Sequence, residues 1–456
     1  MILLALACRS EPVPIGPDVV VITVDTLRHD AIDHPSMQAL AGAGTRYTQA
    51  TTPLLRTTPA LASLWTGLEP HRHGSLEVGE AMEAAHLAEI FQGAGYATLA
   101  VSGSRVAAPE QGLGAGFDRF EVLDDPSAEA LTDRALELLP SDGPRLLWVH
   151  YTDPHFPYLP PDASEGPCRQ LGRRAAKGKL RRDRLFMDLE GVASGALSHC
   201  RELYAGEVAH ADAAIGRLLE AFDAPLVALT SDHGENLGEW GLFYEHGPNV
   251  HPATLRVPLL LSGPGVEVGE DSGIARLQDV VVTLMGLVGL PVPEGLDGVD
   301  LRGPRPEVAA ALSGSALHPR LSGYLRAGRA DKRHCLHGPR YSLCSDGFFD
   351  HQADPGLETD LSGSLPEEES TLADAAARWP PERARQLVAR SLTHSLVARP
   401  ELQGYAFTLY ANDDMDHPID DPAMVEVLRP WLPSPPSGAP SPVASEEALR
   451  ALGYLE

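Results

Sequence analysis

Positive charge is scarce in this chain, and the scarcity limits the partners that it can have. The 456 residues include 36 Lys and Arg against 63 Asp and Glu, which gives a formal net charge of −27 at pH 7. Because binding to nucleic acid depends on cations that neutralise phosphates, this balance argues against nucleic acid as a partner. With 43% apolar and 22% charged residues, the composition predicts a soluble globular protein.

Long apolar runs are also missing, since no segment after the first eight residues is long enough to span a membrane. The chain begins with a short apolar run that ends in Ala7 and Cys8, which resembles the tail of a bacterial lipoprotein signal. On this interpretation the protein is exported to the periplasm or outer cell envelope, and Cys8 is a candidate lipid anchor. The alternative is a simple apolar N-terminus.

Cysteine is rare as well. Apart from Cys8, the chain contains Cys168, Cys200, Cys335 and Cys344. An even number of cysteines in an exported protein allows two disulfides. Proximity along the chain favours pairs between Cys168 and Cys200 and between Cys335 and Cys344, and the alternative is that all four are free and buried.

Apolar runs alternate with helical patterns through the first two thirds of the chain. The strand-like runs include residues 19–24, 96–101, 146–149 and 226–230. Such alternation is typical of βαβ units, in which helices cover both faces of a parallel sheet. The sequence therefore predicts an α/β fold with a large, mainly parallel sheet sandwiched by helices.

The pattern divides the chain into five segments. Residues 1–16 form the N-terminal segment, and residues 17–305 form the α/β domain. Short apolar stretches separated by turn residues predict a small C-terminal antiparallel β subdomain over residues 306–365. Helical patterns predict a helical region over residues 366–432, and residues 433–456 form a Pro-rich linker with a terminal helix.

Acidic side chains directly follow two of the predicted strands. Asp25 follows the run 19–24, and Asp232 with His233 follows the run 226–230. Because the carboxyl ends of parallel strands lie at one edge of a sheet, these side chains are expected to meet there. Two carboxylates with an imidazole suit a metal ion. The alternative is that each Asp caps the helix or turn that follows it.

A hydroxyl-rich loop precedes another predicted helix. Thr57 and Thr58 come directly before Pro59, a residue that favours the first helical turn. A hydroxyl at a helix N-terminus lies in a positive backbone field, which favours a bound oxyanion and lowers the hydroxyl pKa. Thr57 is therefore a candidate nucleophile, and the alternative is that Thr57 or Thr58 is only the N-cap.

Taken together, these motifs resemble the sulfatase family of the alkaline phosphatase superfamily. The family's nucleophile motif is Cys or Ser, any residue, Pro, Ser and Arg, with a later Thr-Gly. The matching positions are Asp25, Thr57, Pro59, Thr66, Gly67, His150, Asp153, Pro154, His155, Asp232, His233, His246 and Gly247. Residues 255–265, 290–298 and 449–455 also match segments that are typical of the family.

The resemblance implies a metal-dependent hydrolase or transferase that cleaves small anionic esters of phosphate, phosphonate or sulfate. In this interpretation Thr57 is the nucleophile and is held on a divalent metal, with Asp25, Asp232 and His233 as the other ligands. An imidazole among carboxylates favours zinc or manganese, whereas a site made only of oxygen atoms favours calcium.

The resemblance implies further roles for three more side chains. Asp153, His155 and His246 are candidates to complete a second metal site, which would give a two-metal clamp. Alternatively, His155 and His246 contact the substrate oxygens and protonate the leaving group.

The departures from the family pattern bear on the mechanism. Thr57 cannot be oxidised to formylglycine, which the family forms from Cys or Ser, and Leu61 stands where the family has a supporting Arg. Thr26 replaces the second residue of an Asp-Asp pair, and His233 replaces an Asn. A mechanism without formylglycine is therefore expected. A catalytically inactive, sulfatase-like binding protein is the alternative.

Overall fold

The computed structural model of the chain describes residues 16–76, 78–124, 126–176, 194–239, 246 and 252–305, together with seven strands between residues 309 and 411. The candidate lipid anchor Cys8 and the predicted segment 433–456 lie outside the described residues. Within the described part of the chain, no helix combines the length and hydropathy that a bilayer crossing requires.

An eight-stranded sheet forms the centre of the first domain, in the order β4-β3-β5-β1-β6-β7-β2-β8. Its strands are β1 (Val19–Val24), β2 (Gly44–Thr51), β3 (Ala97–Ser102), β4 (Arg119–Val122), β5 (Arg145–Tyr151), β6 (Leu226–Thr230), β7 (Leu259–Ser262) and β8 (Gly269–Arg276). Only β7 runs antiparallel to its neighbours β6 and β2 within this sheet. The predicted α/β fold with a mainly parallel sheet is confirmed.

Nine α-helices belong to the described part of this domain. They are α1 (Pro35–Ala43), α2 (Thr57–Thr66), α3 (Pro70–His73), α4 (Ala88–Gly93), α5 (Ala128–Leu138), α6 (Pro167–Ala176), α7 (Ser194–Leu219), α8 (Pro252–Leu255) and α9 (Leu277–Leu287).

The apolar core is split by the sheet into two layers. Val20, Ile22 and Val24 of β1 pack with residues of α1, α5 and α7, whereas Val19 and Val21 pack with residues of α2, α4 and α9. Successive side chains of a strand point to opposite faces, so a strand made almost entirely of valine and isoleucine is buried on both sides. The helices therefore sandwich the sheet, as predicted.

Strand β1 lies between β5 and β6 and is parallel to both of them. In this register Thr23 is opposite His150 of β5 on one side and Thr230 of β6 on the other. The segments that follow β1 and β6 therefore leave the sheet beside the carboxyl end of β5. This arrangement determines where the candidate site lies.

A disulfide joins Cys168 at the start of α6 to Cys200 of α7, with the two Cα atoms 5.1 Å apart. This is one of the two predicted pairs. Cys335 and Cys344 lie directly opposite each other on neighbouring antiparallel strands. Their side chains lie outside the described part, so the bond between them stays a prediction.

A second sheet of seven strands follows the first domain, in the order β12-β11-β10-β14-β13-β9, with β15 paired to β14. Its strands are β9 (Ala309–Leu312), β10 (Cys335–His337), β11 (Tyr341–Cys344), β12 (Gly347–Asp350), β13 (Leu387–Arg390), β14 (His394–Glu401) and β15 (Gly404–Ala411). Most neighbouring strands are antiparallel, and the predicted C-terminal antiparallel β subdomain is confirmed.

The prediction of a helical region over residues 366–432 is wrong where the structure describes this part of the chain. Strands β13, β14 and β15 lie there and join the same sheet as β9 to β12. Pro400 pairs with Tyr405 in the β14–β15 ladder. A proline in a helix interior would remove a hydrogen bond, and aromatic residues such as Tyr405 and Phe407 favour strands.

Candidate active site

Three side chains from the ends of the central strands meet at one point. Asp25 follows β1, His150 lies near the end of β5, and Asp232 follows β6. One ligand atom of each lies within 4.8 Å of the others, and all three residues are buried. The strand-end carboxylates are therefore together, as the sequence predicts, and the third member of the group is His150.

Three buried atoms of this group have no hydrogen-bond partner among the residues that the structure describes. Asp232 uses its Oδ1 to accept hydrogen bonds from the N–H groups of Thr26 at 3.3 Å and of His233 at 2.9 Å. The three atoms are Asp232 Oδ2, Asp25 Oδ1 and His150 Nε2. Buried polar atoms without partners cost about 1–3 kcal/mol each, so the three atoms fit a bound cation.

The electrostatics also fit a cation. Burial raises the pKa of Asp25 well above its usual value, and the nearby charges of Asp232 and Glu235 raise it further. All three carboxyl groups are buried. Like charges that are buried together disfavour ionisation, whereas a divalent cation would compensate for them.

The ring of His150 is held from its other side. The indole N–H of Trp148 donates to Thr23 Oγ1 at 2.9 Å, and this hydroxyl lies 2.9 Å from His150 Nδ1. His150 Nε2 is 4.0 Å from a carboxylate oxygen of Asp25. Burial lowers the pKa of His150 to about 4, which keeps the imidazole neutral and suited to bind a metal.

His150 is the candidate metal ligand that the sequence does not single out. In the sequence it is only one of the positions that match the family pattern. A signal was available, because His150 ends an apolar run just as Asp25 does, but the sequence does not give the order of the strands. The neighbouring positions of β5 and β1 in the sheet are what bring the two side chains together.

Thr57 and His233 face each other across the site. Thr57 Oγ1 lies 3.5 Å from His233 Nε2, and His233 Nδ1 lies 3.1 Å from the carbonyl oxygen of Gly234. A carbonyl oxygen only accepts hydrogen bonds, so Nδ1 carries the proton and the lone pair of Nε2 faces Thr57. Burial lowers the pKa of His233, which favours this neutral form.

His233 also lies beside the two strand-end carboxylates. Its Nε2 is 3.4 Å from Asp232 Oδ2 and 4.0 Å from Asp25 Oδ1. The lone pair of Nε2 can therefore be used in either of two ways, to bind a cation with these oxygens or to accept a proton from the Thr57 hydroxyl.

The two adjacent threonines differ in their surroundings. Thr58 Oγ1 donates to the carbonyl of Val106 at 2.7 Å and accepts from the N–H of Gly79 at 2.8 Å, so it ties two loops to the helix. Thr57 is the first residue of α2, and the N-cap position belongs to Arg56, whose side chain makes no capping hydrogen bond. The N-cap interpretation is therefore wrong for both threonines.

His155 and His246 lie next to this group. The ring of His246 stacks on that of His233 with 4.0 Å between centroids, and the ring of His155 contacts His246 edge-on at 5.4 Å. His246 Nδ1 lies 3.3 Å from a carboxylate oxygen of Glu235, which is completely buried. The structure therefore places His246 against His233, and His155 against His246.

Asp153 does not join the group formed by Asp25, His150 and Asp232. Its Oδ1 accepts the N–H of Ala128 at 2.9 Å, at the first residue of α5, and lies 3.7 Å from His210 Nε2. Burial raises the pKa of Asp153 to about 6. The structure therefore places Asp153 beyond the strand end, apart from the other candidate ligands, where it accepts a hydrogen bond at the start of a helix.

The backbone directly after Asp25 has an unusual conformation. Thr26 has a φ of 59°, in the left-handed region that β-branched residues rarely adopt. Its N–H donates to Asp232 Oδ1, and its carbonyl accepts a hydrogen bond from the Tyr204 hydroxyl at 2.8 Å. These contacts on both sides keep the turn in a strained form that orients Asp25.

Comparisons with known proteins agree with this geometry. The family model described as Sulfatase matches residues 17–290, more than half of the chain. The Ulvan-active sulfatase of Formosa agariphila is 26% identical over 423 residues, which cover 78% of this chain and 79% of that protein. The Choline-sulfatase of Rhizobium meliloti is 25% identical over 59% of this chain and 57% of its own length.

Solved structures show the same fold. The phosphonate monoester hydrolase of Agrobacterium radiobacter superposes with a TM-score of 0.58 at 20% identity, covering 79% of this chain and 94% of that one. The phosphonate monoester hydrolase of Silicibacter pomeroyi gives a TM-score of 0.57 at 17% identity, covering 96% of this chain and 94% of that one.

Proposed function

Because the chain belongs to the sulfatase family, we propose that it hydrolyses sulfate, phosphonate or phosphate esters in a metal-dependent reaction with Thr57 as the nucleophile. The observation that carries the proposal is the 3.5 Å contact between Thr57 Oγ1 and the lone pair of His233 Nε2. A hydroxyl beside an imidazole acceptor, next to a cluster of buried carboxylates, is an arrangement that activates a nucleophile.

The residues that would hold the cation are Asp25, His150 and Asp232, with His233 as a further candidate ligand. A divalent cation bound there would supply a Lewis acid that neutralises charge on the substrate oxygens and lowers the pKa of the Thr57 hydroxyl. The imidazole in the donor set favours zinc or manganese over calcium.

The protein side chains supply the proton transfers. His233 Nε2 accepts the proton of the Thr57 hydroxyl, and Thr57 Oγ1 forms a bond to the sulfur or phosphorus atom. The bond from that atom to the ester oxygen breaks, and His246 or His155 donates a proton to the departing alcohol. Transfer of the group from Thr57 to water completes hydrolysis, and transfer to another alcohol would make the protein a transferase.

The stacking of His246 supports its role as the acid. Its ring lies on His233, and its Nδ1 is within 3.3 Å of the Glu235 carboxylate. A carboxylate beside one ring nitrogen orients the imidazole. In the role of acid, His246 gives up the proton of its other ring nitrogen.

We further propose that the protein acts after export. The disulfide between Cys168 and Cys200 supports this compartment, since disulfides persist mainly in oxidising surroundings. A lipid anchor at Cys8 remains part of the proposal.

Metal analysis of the purified protein, followed by assays on aryl sulfates, phosphonate monoesters, and phosphate mono- and diesters with added zinc or manganese, tests the function. We expect about one bound divalent ion for each chain and turnover of at least one ester class. Metal binding without turnover of any ester would favour the alternative, an inactive binding protein. Neither metal nor turnover would refute the proposed chemistry.

A further inference from the structure

The candidate site has a surplus of negative charge, which matters for an anionic substrate. The carboxyl groups of Asp25, Asp232 and Glu235 are all buried. If all three are ionised around one divalent cation, the sum of these charges is still negative. The proton of the acid histidine offsets this sum only until it leaves with the alcohol, so a sulfate or phosphate group calls for a further positive charge close to Thr57.

The family position for that positive charge is occupied by an apolar residue here. Leu61 is completely buried in α2 and belongs to the core on one side of the sheet. Arg28 is already neutralised, because it forms ion pairs with Asp30 at 2.8 Å and with Glu239 at 2.7 Å. Neither residue can therefore supply a charge for the substrate.

Arg56 directly precedes Thr57 and is partly buried. Its Nη1 donates to the carbonyl oxygen of His246 at 3.0 Å, which anchors the guanidinium between the nucleophile loop and His246. Its Nε is buried and has no hydrogen-bond partner among the described residues.

We propose that Arg56 replaces the missing family arginine and binds the oxygens of the sulfate or phosphate group that Thr57 attacks. This inference rests on the proposed function for the reaction, although it makes a separate statement about anion binding. A guanidinium presents several N–H groups in a rigid fork that matches such oxygens, and the buried Nε supplies an unused donor. Arg56, which directly precedes Thr57, is thus a substrate-binding residue.

Calorimetric titration with inorganic phosphate tests this inference without turnover. The proteins to compare are the metal-loaded wild type, Arg56→Gln, Arg56→Lys and the control Arg105→Gln. Arg105 is a suitable control because it pairs with Asp124 on the surface, where both side chains are largely exposed. The control removes the same charge from an exposed ion pair, where solvent screens it from the candidate site.

We expect Arg56→Gln to raise the Kd for phosphate about ten- to a hundredfold, because a charge-assisted hydrogen bond is lost. Arg56→Lys should weaken binding less, since it keeps the charge but not the fork. Arg105→Gln should bind as the wild type does. Metal content measured by mass spectrometry should be the same in all four proteins.

Wild-type affinity in Arg56→Gln with intact metal content would overturn the inference, and so would a wild type that binds neither phosphate nor sulfate. If Arg56→Gln does not fold, the Lys variant provides the test. Wild-type affinity for phosphate in Arg56→Lys would refute the proposal that the guanidinium donates several hydrogen bonds to the oxygens. Phosphate binding that depends on Arg56, in a protein without turnover, would refute the proposed function alone. Turnover that is insensitive to Arg56 would refute only the inference.

Discussion

Thr57 Oγ1 lies 3.5 Å from Nε2 of His233, and Nδ1 of the same ring lies against the carbonyl oxygen of Gly234. This relationship determines which nitrogen can accept a proton, because the carbonyl leaves the lone pair on Nε2. A single backbone carbonyl thus determines the tautomer in which His233 faces Thr57.

Thr57→Ala should retain bound metal and lose most turnover, because the attacking oxygen is removed. The expected loss is on the order of several kcal/mol of barrier, or about a thousandfold or more in kcat. Thr57→Ser should keep part of the rate, since it keeps the oxygen. Steady-state kinetics with metal analysis measures both effects.

Thr58→Ala is the matched control for the nucleophile. It should cost about 1 kcal/mol of stability through the lost contacts with Val106 and Gly79, and it should change kcat far less. The reverse order of the two effects on turnover would assign the nucleophile to Thr58. Unchanged turnover in both variants would favour direct attack by water.

His150→Ala and Asp232→Ala should each lower the bound metal strongly, because each removes a buried atom that has no hydrogen-bond partner in the described part of the chain. By contrast, Asp153→Ala should keep the metal. It should destabilise the fold by about 1 kcal/mol, since the hydrogen bond to the N–H of Ala128 at the start of α5 is lost. Metal analysis with thermal unfolding separates the two classes, and metal loss in the Asp153 variant would show that this residue is a ligand.

The buried His86 should make stability depend on pH. Its pKa is lowered to about 3 by burial, from an ordinary value of 6.5. As the pH falls from 6.5 towards 3, the unfolded chain takes up a proton that the folded chain does not, so the free energy of unfolding falls. The contribution of this residue is at most about 1.4 kcal/mol for each pH unit.

His86→Asn tests this by removing the titrating ring while leaving an oxygen that can accept the N–H of Ala88, as His86 Nδ1 does at 3.2 Å. The variant should show a flatter decline of stability in acid, measured by denaturant unfolding at several pH values. Above neutral pH the two proteins should have the same pH slope. An equally steep acid decline in the variant would contradict the assignment.

Cys168→Ser should destabilise the protein by about 3–4 kcal/mol, because the disulfide closes a loop between residues 32 positions apart. Titration of the unfolded, unreduced wild type should show neither Cys168 nor Cys200 as a free thiol. Peptide mapping of the same sample also tests the predicted bond between Cys335 and Cys344. Free thiols at both Cys168 and Cys200 would argue against an oxidising compartment.

The sequence predicts best those site residues whose position depends on one strand alone. Asp25, Asp232 and His233 follow apolar runs directly, so their place at the sheet edge follows from the strands alone. His150 and Asp153 could not be told apart in this way. The choice between them depends on the exact end of β5 and on which strand lies beside it.

The same limit applies at the C-terminus. The segment that contains β13 and β14 carries a helical pattern of apolar residues, yet its backbone pairs with neighbouring strands. Pairing between positions such as Leu387 and Ala398 is a property of the folded chain, and it can outweigh local propensity.

The left-handed backbone of Thr26 bears on how the site keeps its shape. Glycine would adopt this φ without strain, but it would also reach many other conformations, in which the carboxylate of Asp25 would point elsewhere. A β-branched residue in the same place has few alternatives once its N–H and carbonyl are both bound. Threonine at this position therefore has fewer backbone conformations than glycine, both in the unfolded chain and in the folded turn. As a result, the Asp25 carboxylate keeps one orientation relative to the sheet.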